Sequence, residues 1–236
     1  MMRSPLTEAL RGVVGMAHLA SVGWEDRVLA CRDSLDCLAL TGSDEEVAMP
    51  ASQAPTGEKM ARIAGQTQFI LSAAGIYSGS VEQMEHSLSY TRQTIERCRL
   101  AGDMGAAGAL ISTPLGLTPL AGQAASALVY RYFRDTQAKS PVPIVLYQPP
   151  GTPPDYRLRP ESILSLVRLG KVRGLIMADG DAAEIEACAR AGRRADFTLI
   201  CDESLYPMAF QWGACGVTVS IDSANLESIA AEMHRR

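Results

Sequence analysis

The chain has 236 residues, of which 47% are hydrophobic and 20% charged, and its formal net charge at pH 7 is −4. This composition is typical of a globular protein, and we expect a single domain over residues 1–236. The negative net charge gives no reason to expect nucleic acid or an anionic membrane surface as a partner. With no apolar window of membrane-span length and no signal-peptide pattern, the sequence predicts a cytoplasmic protein.

Eight short apolar runs alternate with amphipathic segments along the chain. The predicted strands cover 12–19, 35–41, 68–74, 108–113, 143–148, 172–178, 197–202 and 216–221. The predicted helices lie near 24–33, 56–65, 81–101, 119–137, 160–170, 181–192, 203–213 and 223–235. This alternation predicts an α/β protein with parallel strands. Eight units in about 230 residues favour a minimal (βα)8 TIM barrel over a doubly wound sheet, because no Gly-x-Gly-x-x-Gly turn follows the first strand.

The six cysteines include no Cys-x-x-Cys pair, and several lie in apolar runs, so we expect free thiols. They are Cys31, Cys37, Cys98, Cys188, Cys201 and Cys215.

Five segments together resemble one enzyme family in their order and spacing. They are 111–114 (ISTP), 143–151 (PIVLYQPPG), 172–181 (VRGLIMADGD), 199–205 (LICDESL) and 213–220 (GACGVTVS). They resemble strand ends of the dihydrodipicolinate synthase/N-acetylneuraminate lyase family of pyruvate-type aldolases. The resemblance implies a TIM barrel, here without the C-terminal helical segment that the family usually carries.

The lysine that forms the family's Schiff base with substrate has no counterpart at the matching position, where Ile176 stands. A slip of one residue in this alignment would place Met177 there, which is also not an amine. Only three lysines occur in the chain: Lys171 precedes the sixth strand, Lys139 ends the fourth predicted helix, and Lys59 follows a long loop. Only Lys59 could reach the pocket, so the resemblance implies a fold without its usual chemistry.

Tyr147 matches the family's proton-relaying tyrosine, although a packed strand tyrosine with a bonded hydroxyl is equally common. A second relay tyrosine is missing after Thr113. The family's carboxylate-binding turn corresponds to residues 42–46, where Ser43 keeps a hydroxyl but Asp44 adds negative charge. We therefore predict ligand contacts from Ser43, Asp44, Thr113 and Asp202. The arginine that dihydrodipicolinate synthases carry just after the Pro-Gly turn is absent, and Thr152 stands in its place. Arg157 or Arg159 could substitute for that arginine.

Acidic residues follow several predicted strands and could hold a divalent cation, although no tight metal motif occurs and such acids often cap helices. They are Asp44, Glu45, Asp179, Asp181, Asp202 and Glu203, with His18 nearby. We assign no metal site and expect no cofactor. Three hypotheses remain: a barrel that binds a small molecule or supports assembly, a carbon-carbon lyase using a metal or a relocated lysine, and a structural partner. Partners would be copies of the chain or a lysine-bearing paralogue.

Overall fold

The structure is a computed structural model that describes residues 4–18, 23–41, 68–73, 83–114, 122–193 and 195–235. Eight parallel strands form a closed barrel in chain order, as the sequence predicts. They are β1 (Val13–His18), β2 (Cys37–Thr41), β3 (Gln68–Ser72), β4 (Gly108–Ser112), β5 (Ile144–Gln148), β6 (Val172–Met177), β7 (Thr198–Asp202) and β8 (Gly216–Ser220). The barrel closes where β1 pairs with β8.

The described residues contain eight α-helices that surround or cap this barrel. They are α1 (Pro5–Ala9), α2 (Trp24–Cys31), α3 (Gln83–Asp103), α4 (Gly122–Lys139), α5 (Pro160–Arg168), α6 (Ala182–Gly192), α7 (Met208–Gln211) and α8 (Leu226–Met233). Residues 203–213, predicted as one helix, form a 3-10 turn and the short α7, because Pro207 lacks an N–H and restricts Tyr206. The helix predicted near 56–65 lies outside the described residues.

Alternate residues of each strand face opposite sides of the barrel wall. The inward-facing side chains form one apolar interior that includes Val14, Leu110, Val145, Ile176 and Ile200, each with no exposed surface. The outward-facing side chains pack against the helices in two larger clusters. The inward positions therefore decide which side chains reach the two ends of the barrel.

The short helix α1, which the sequence analysis does not predict, closes the amino-terminal end of the barrel. Leu6 and Leu10 insert into the apolar interior, and Thr198 Oγ1 donates to the carbonyl oxygen of Thr7 at 3.1 Å. Gly216 is required at this closure, because a Cβ atom there would lie 2.0 Å from the carbonyl oxygen of Leu10. The opposite end, at the carboxyl ends of the strands, is where barrels of this type carry their sites.

The cysteines of the described residues are all free, as predicted, and four of the six are buried. Of the helices that the structure describes, none is long and apolar enough to span a membrane.

Candidate site at the carboxyl end of the barrel

Inward-facing polar side chains lie at or near the carboxyl ends of six strands, and we call this end of the barrel the mouth. They are Thr41 on β2, Ser72 on β3, Ser112 on β4, Tyr147 on β5, Asp202 on β7 and Thr218 on β8. Ser112 is in register with Tyr147, and Asp202 is in register with Thr218. Hydroxyl groups and one carboxylate thus ring the mouth above an apolar interior that includes Ile176.

Ile176 lies on the inner face of β6, fully buried among the apolar side chains of the barrel interior. Its register partners are Tyr147 on β5 and Ile200 on β7. The next residue, Met177, faces outward and packs in the cluster beneath the helices. Ile176, and not Met177, therefore fills the inward position next to Tyr147.

The two lysines of the described residues lie away from the mouth. The Lys171 ammonium donates to the carbonyl oxygen of Ser140 just before β6 begins, at the opposite end of the barrel. Lys139 is the exposed last residue of α4. Lys59 lies outside the described residues. Within the described part of the chain, no amine is positioned to attack a carbonyl group in the mouth.

Tyr147 is half-buried, and its phenol has no hydrogen-bond partner among the described residues. Burial raises the pKa of the phenol above its ordinary value, and the negative charges of Asp202 and Asp179 raise that pKa further. Tyr147 is therefore protonated at neutral pH and offers an O–H donor to the mouth. Among the described residues, no backbone group forms a hydrogen bond with the Tyr147 hydroxyl, which the packed-tyrosine alternative requires.

Thr113 lies just beyond β4, with its side chain 2% exposed. Its amide donates to the carbonyl oxygen of Tyr147 at 2.9 Å, and its Oγ1 donates to the same oxygen at 3.4 Å. The hydroxyl thus extends the β4–β5 pairing, and its contact with a ligand stays a prediction. The neighbouring Ser112 faces inward and has no side-chain partner among the described residues.

Ser112 and Thr218 are mouth residues that the sequence analysis does not single out. Both are at least 95% buried, and no described residue hydrogen-bonds either hydroxyl. The signal that predicts them is the two-residue alternation of the strands: Leu110 faces inward on β4, so Ser112 does too. Their position makes these two hydroxyls candidates for ligand contacts.

Three acidic side chains near the mouth accept hydrogen bonds from residues of the adjacent loops and helix. Asp202 accepts from the amide of Ser204 at 3.0 Å, and Asp181 caps α6 by accepting from the amide of Glu184 at 2.8 Å. Glu203 accepts from Ser223 Oγ at 2.7 Å. Among the described residues, no three His, Cys, Asp or Glu side chains gather as a metal-binding group. Ser43, Asp44, Glu45 and the side chain of His18 lie outside them.

Arg157, which the sequence offers in place of the family's arginine, is already bound to two acids and one backbone oxygen. Its guanidinium contacts Asp179 at 2.9 Å and Glu184 at 2.6 Å, and Nε donates to the carbonyl oxygen of Thr152 at 3.1 Å. Asp179 also accepts from the amide of Gly151 at 2.8 Å. This network fixes the loop after β5 beside the first turn of α6. Arg159 lies exposed at the start of α5.

Comparison with known proteins identifies one relative in sequence. The chain is 33% identical over 134 residues to the 4-hydroxy-tetrahydrodipicolinate synthase of Stenotrophomonas maltophilia (strain R551-3). This match covers 56% of the chain but only 43% of the relative. No protein-family model matches the chain.

Solved structures resemble the chain over nearly all of its length. A monomeric variant of dihydrodipicolinate synthase matches 98% of the chain and 76% of its own, with a TM-score of 0.76 and 18% identity. The dihydrodipicolinate synthase of Thermotoga maritima matches 95% and 74%, with a TM-score of 0.73 and 17% identity. A prophage protein of the dihydrodipicolinic acid synthase family from E. coli K12, solved with pyruvate, matches 95% and 79%, with a TM-score of 0.67 and 17% identity.

These matches agree with the motifs quoted from the sequence. At 17% to 18% identity the structures establish the fold, and the 134-residue match adds likeness in sequence. The chain therefore resembles the dihydrodipicolinate synthase family in fold over nearly its whole length and in sequence over about half of it.

Proposed function

We propose that this protein binds a small polar molecule in the mouth of an aldolase-like barrel and does not form a Schiff base with it. One observation carries the proposal: the inward position beside Tyr147 is filled by Ile176, a fully buried apolar side chain. Schiff-base catalysis requires an amine that is desolvated and held in the pocket. Neither Lys139 nor Lys171 meets that requirement.

Unpartnered polar groups support ligand binding at the mouth. The hydroxyls of Ser112, Tyr147 and Thr218 have no hydrogen-bond partner among the described residues. These hydroxyls are accessible from the mouth, so a ligand that supplies a donor or an acceptor can hydrogen-bond them directly. A few convergent polar groups above an apolar floor are also the usual composition of a small-molecule site.

Charge favours a neutral or cationic ligand over a 2-oxo acid. The carboxylates of Asp202 and Asp179 are close enough to Tyr147 to raise the pKa of its phenol, so the potential at this position is negative. The guanidinium of Arg157 is already shared between Asp179 and Glu184. A pyruvate-like carboxylate next to Tyr147 would therefore meet repulsion.

Two measurements on the purified chain test this proposal together. The first follows the melting temperature in the presence of pyruvate, glycerol and ethanolamine as anionic, neutral and cationic probes. The second follows consumption of pyruvate with glyceraldehyde as acceptor. We expect stabilisation by glycerol or ethanolamine, reduced in Ser112→Ala and kept in the matched control Ser165→Ala, at a half-buried position of α5. Selective stabilisation by pyruvate, or its consumption, would contradict the proposal.

The second candidate function is a carbon-carbon lyase that uses neither Lys139 nor Lys171. The protonated, unpartnered phenol of Tyr147 favours it, because such a group can donate a proton to a reacting oxygen. Two results together would favour the lyase over the first candidate. The chain would turn over a 2-oxo acid with the help of Lys59 or an added divalent cation, and Tyr147→Phe would abolish that turnover.

A further inference from the structure

A groove between α3 and α4 lies on the outside of the barrel, away from the mouth. The groove has a volume of about 580 Å³. Its lining includes Arg92, Ile95, Glu96, Arg99, Asp135 and Lys139. Its volume falls within the range of roughly 300–1,000 Å³ that is usual for small-molecule sites.

The two acids of the groove are already paired with arginines. Glu96 lies 3.3 Å from Nε of Arg92. Asp135 lies 2.7 Å from Nη2 of Arg134 and 3.5 Å from Nε of Arg131. The anionic side chains of the groove are therefore neutralised from within the same two helices.

Two cations of the groove, Arg99 and Lys139, have no ionic partner among the described residues. The lining of the groove therefore has three cationic side chains, Arg92, Arg99 and Lys139, and two acidic ones, although the whole chain has a net charge of −4. The groove thus carries a small positive surplus. The net charge of the chain conceals this local surplus.

Buried contacts hold the two helices that form the groove. The hydroxyls of Thr94 and Tyr132 are 3.0 Å apart, and the rings of Tyr90 and Tyr132 have centroids 5.3 Å apart. Ile95, which is 7% exposed, provides an apolar surface between the charged side chains. A ligand would therefore meet a formed groove and would not have to order the helices first.

We propose that this groove binds a small organic oxyanion, namely a phosphomonoester with an apolar substituent. The guanidinium of Arg99 and the ammonium of Lys139 would hold the phosphate, since charge-assisted hydrogen bonds to phosphate are the strong ones that arginine and lysine make. The apolar substituent would lie against Ile95. This inference does not depend on the function proposed for the mouth.

Calorimetric titration with phenyl phosphate tests the proposal, with inorganic phosphate as the probe that lacks an apolar part. The double variant Arg99→Gln/Lys139→Gln removes the two unpaired cations. The control Arg168→Gln/Arg190→Gln removes the same charge from exposed positions on α5 and α6. We expect phenyl phosphate to bind the wild-type chain more tightly than inorganic phosphate does. Its affinity should fall at least tenfold in the groove variant and stay within twofold in the control.

Three results would overturn the proposal. They are no binding of phenyl phosphate, equal affinity for the two probes, and equal weakening in the groove and control variants, which would show attraction to charge in general. Circular dichroism of both double variants checks that each remains folded. Exposed polar substitutions of this kind usually leave the fold intact.

Discussion

Tyr147 and Ile176 are direct neighbours across the β5–β6 pairing, and both face the inside of the barrel. The first is a half-buried phenol at the mouth, and the second is a fully buried aliphatic side chain. The mouth thus retains a proton donor at the position where the family resemblance places one. It contains no amine at the adjacent position.

Substitution of Ile176 by Lys should create a site that reacts with pyruvate. The new ammonium would be buried in the apolar barrel interior, which lowers the pKa of a lysine and leaves part of it as the nucleophilic amine at neutral pH. We expect reduction with borohydride, in a large excess of pyruvate that offsets the repulsion from the acids near Tyr147, to give a covalent adduct on the introduced lysine, identified by peptide mass spectrometry.

Met177→Lys is the matched control, because it places the lysine one residue along the same strand but on the outer face. Leu169→Lys, at a position 55% exposed, controls for trapping on a surface lysine. An adduct in Met177→Lys but not in Ile176→Lys would show that the inward register of β6 differs from the one described.

The charge of Asp202 should contribute to the raised pKa of Tyr147. Burial is the larger cause of that increase, and the Asp202 carboxylate adds to it because it disfavours a phenolate nearby. Asp202→Asn should therefore lower the pKa of Tyr147 without returning it to the ordinary value. NMR titration of ring-labelled tyrosine, with Tyr147→Phe to assign the signal, measures it. An equal shift in Asp33→Asn, an exposed acid on the turn after α2, would count against this electrostatic account.

Closure of the amino-terminal end of the barrel depends on the absence of a side chain at residue 216. Gly216→Ala would place a Cβ atom 2.0 Å from the carbonyl oxygen of Leu10 and force α1 outward. We expect a loss of about 1–3 kcal/mol in the free energy of unfolding, measured by urea denaturation. Gly174→Ala is the milder control, because its nearest contacts would be at 3.2 Å. A larger loss in the free energy of unfolding for Gly174→Ala than for Gly216→Ala would contradict this account.

Alkaline pH should destabilise the fold through buried thiols and a buried phenol. Burial raises the pKa of the Cys37, Cys188 and Cys201 thiols to about 12 and that of Tyr90 to about 12. Above pH 9 the unfolded chain releases protons from the thiols that the folded chain keeps, and above pH 10 the same holds for Tyr90. The free energy of unfolding therefore falls as pH rises.

Urea midpoints measured between pH 8 and pH 11 check this dependence. Cys37→Ala should reduce the slope above pH 9, because it removes one buried group that resists ionisation. Since the substitution also removes buried atoms, its effect is judged on the slope and not on the midpoint at pH 8. A midpoint that is constant or rises over this range would be inconsistent with the pKa increases.

The barrel could be predicted because each strand is a short apolar run between amphipathic segments, a pattern that few folds share. The helix α1 was missed because five residues are too few to show a helical period, although Ser4 and Pro5 carry the start signals of a cap and a first-turn proline. The network of Arg157 was also missed. It joins residues 22 and 27 positions apart in the chain, and only the closed barrel brings them together.

Within the candidate site, some positions could be predicted from a local motif, whereas others depend on how the strands meet in the barrel. Ile176 could be assigned to the lysine position from a local motif, and the register of β6 places it facing inward. The alternation within each strand turns Ser112 and Thr218 inward, but their strands lie four positions apart in the barrel, so only the closed barrel brings the two hydroxyls to the same mouth. The positive groove between α3 and α4 likewise could not be found from a net charge of −4.

The most direct test of the central claim is intact-mass spectrometry of the wild-type chain after incubation with pyruvate and borohydride. A lysine-bearing dihydrodipicolinate synthase, treated in parallel, shows that the trapping reaction works. We expect the mass of the wild-type chain to remain unchanged while the control gains a covalent adduct. A stoichiometric adduct on the wild-type chain, mapped to Lys59 or to any other lysine, would contradict the account and establish Schiff-base chemistry in this barrel.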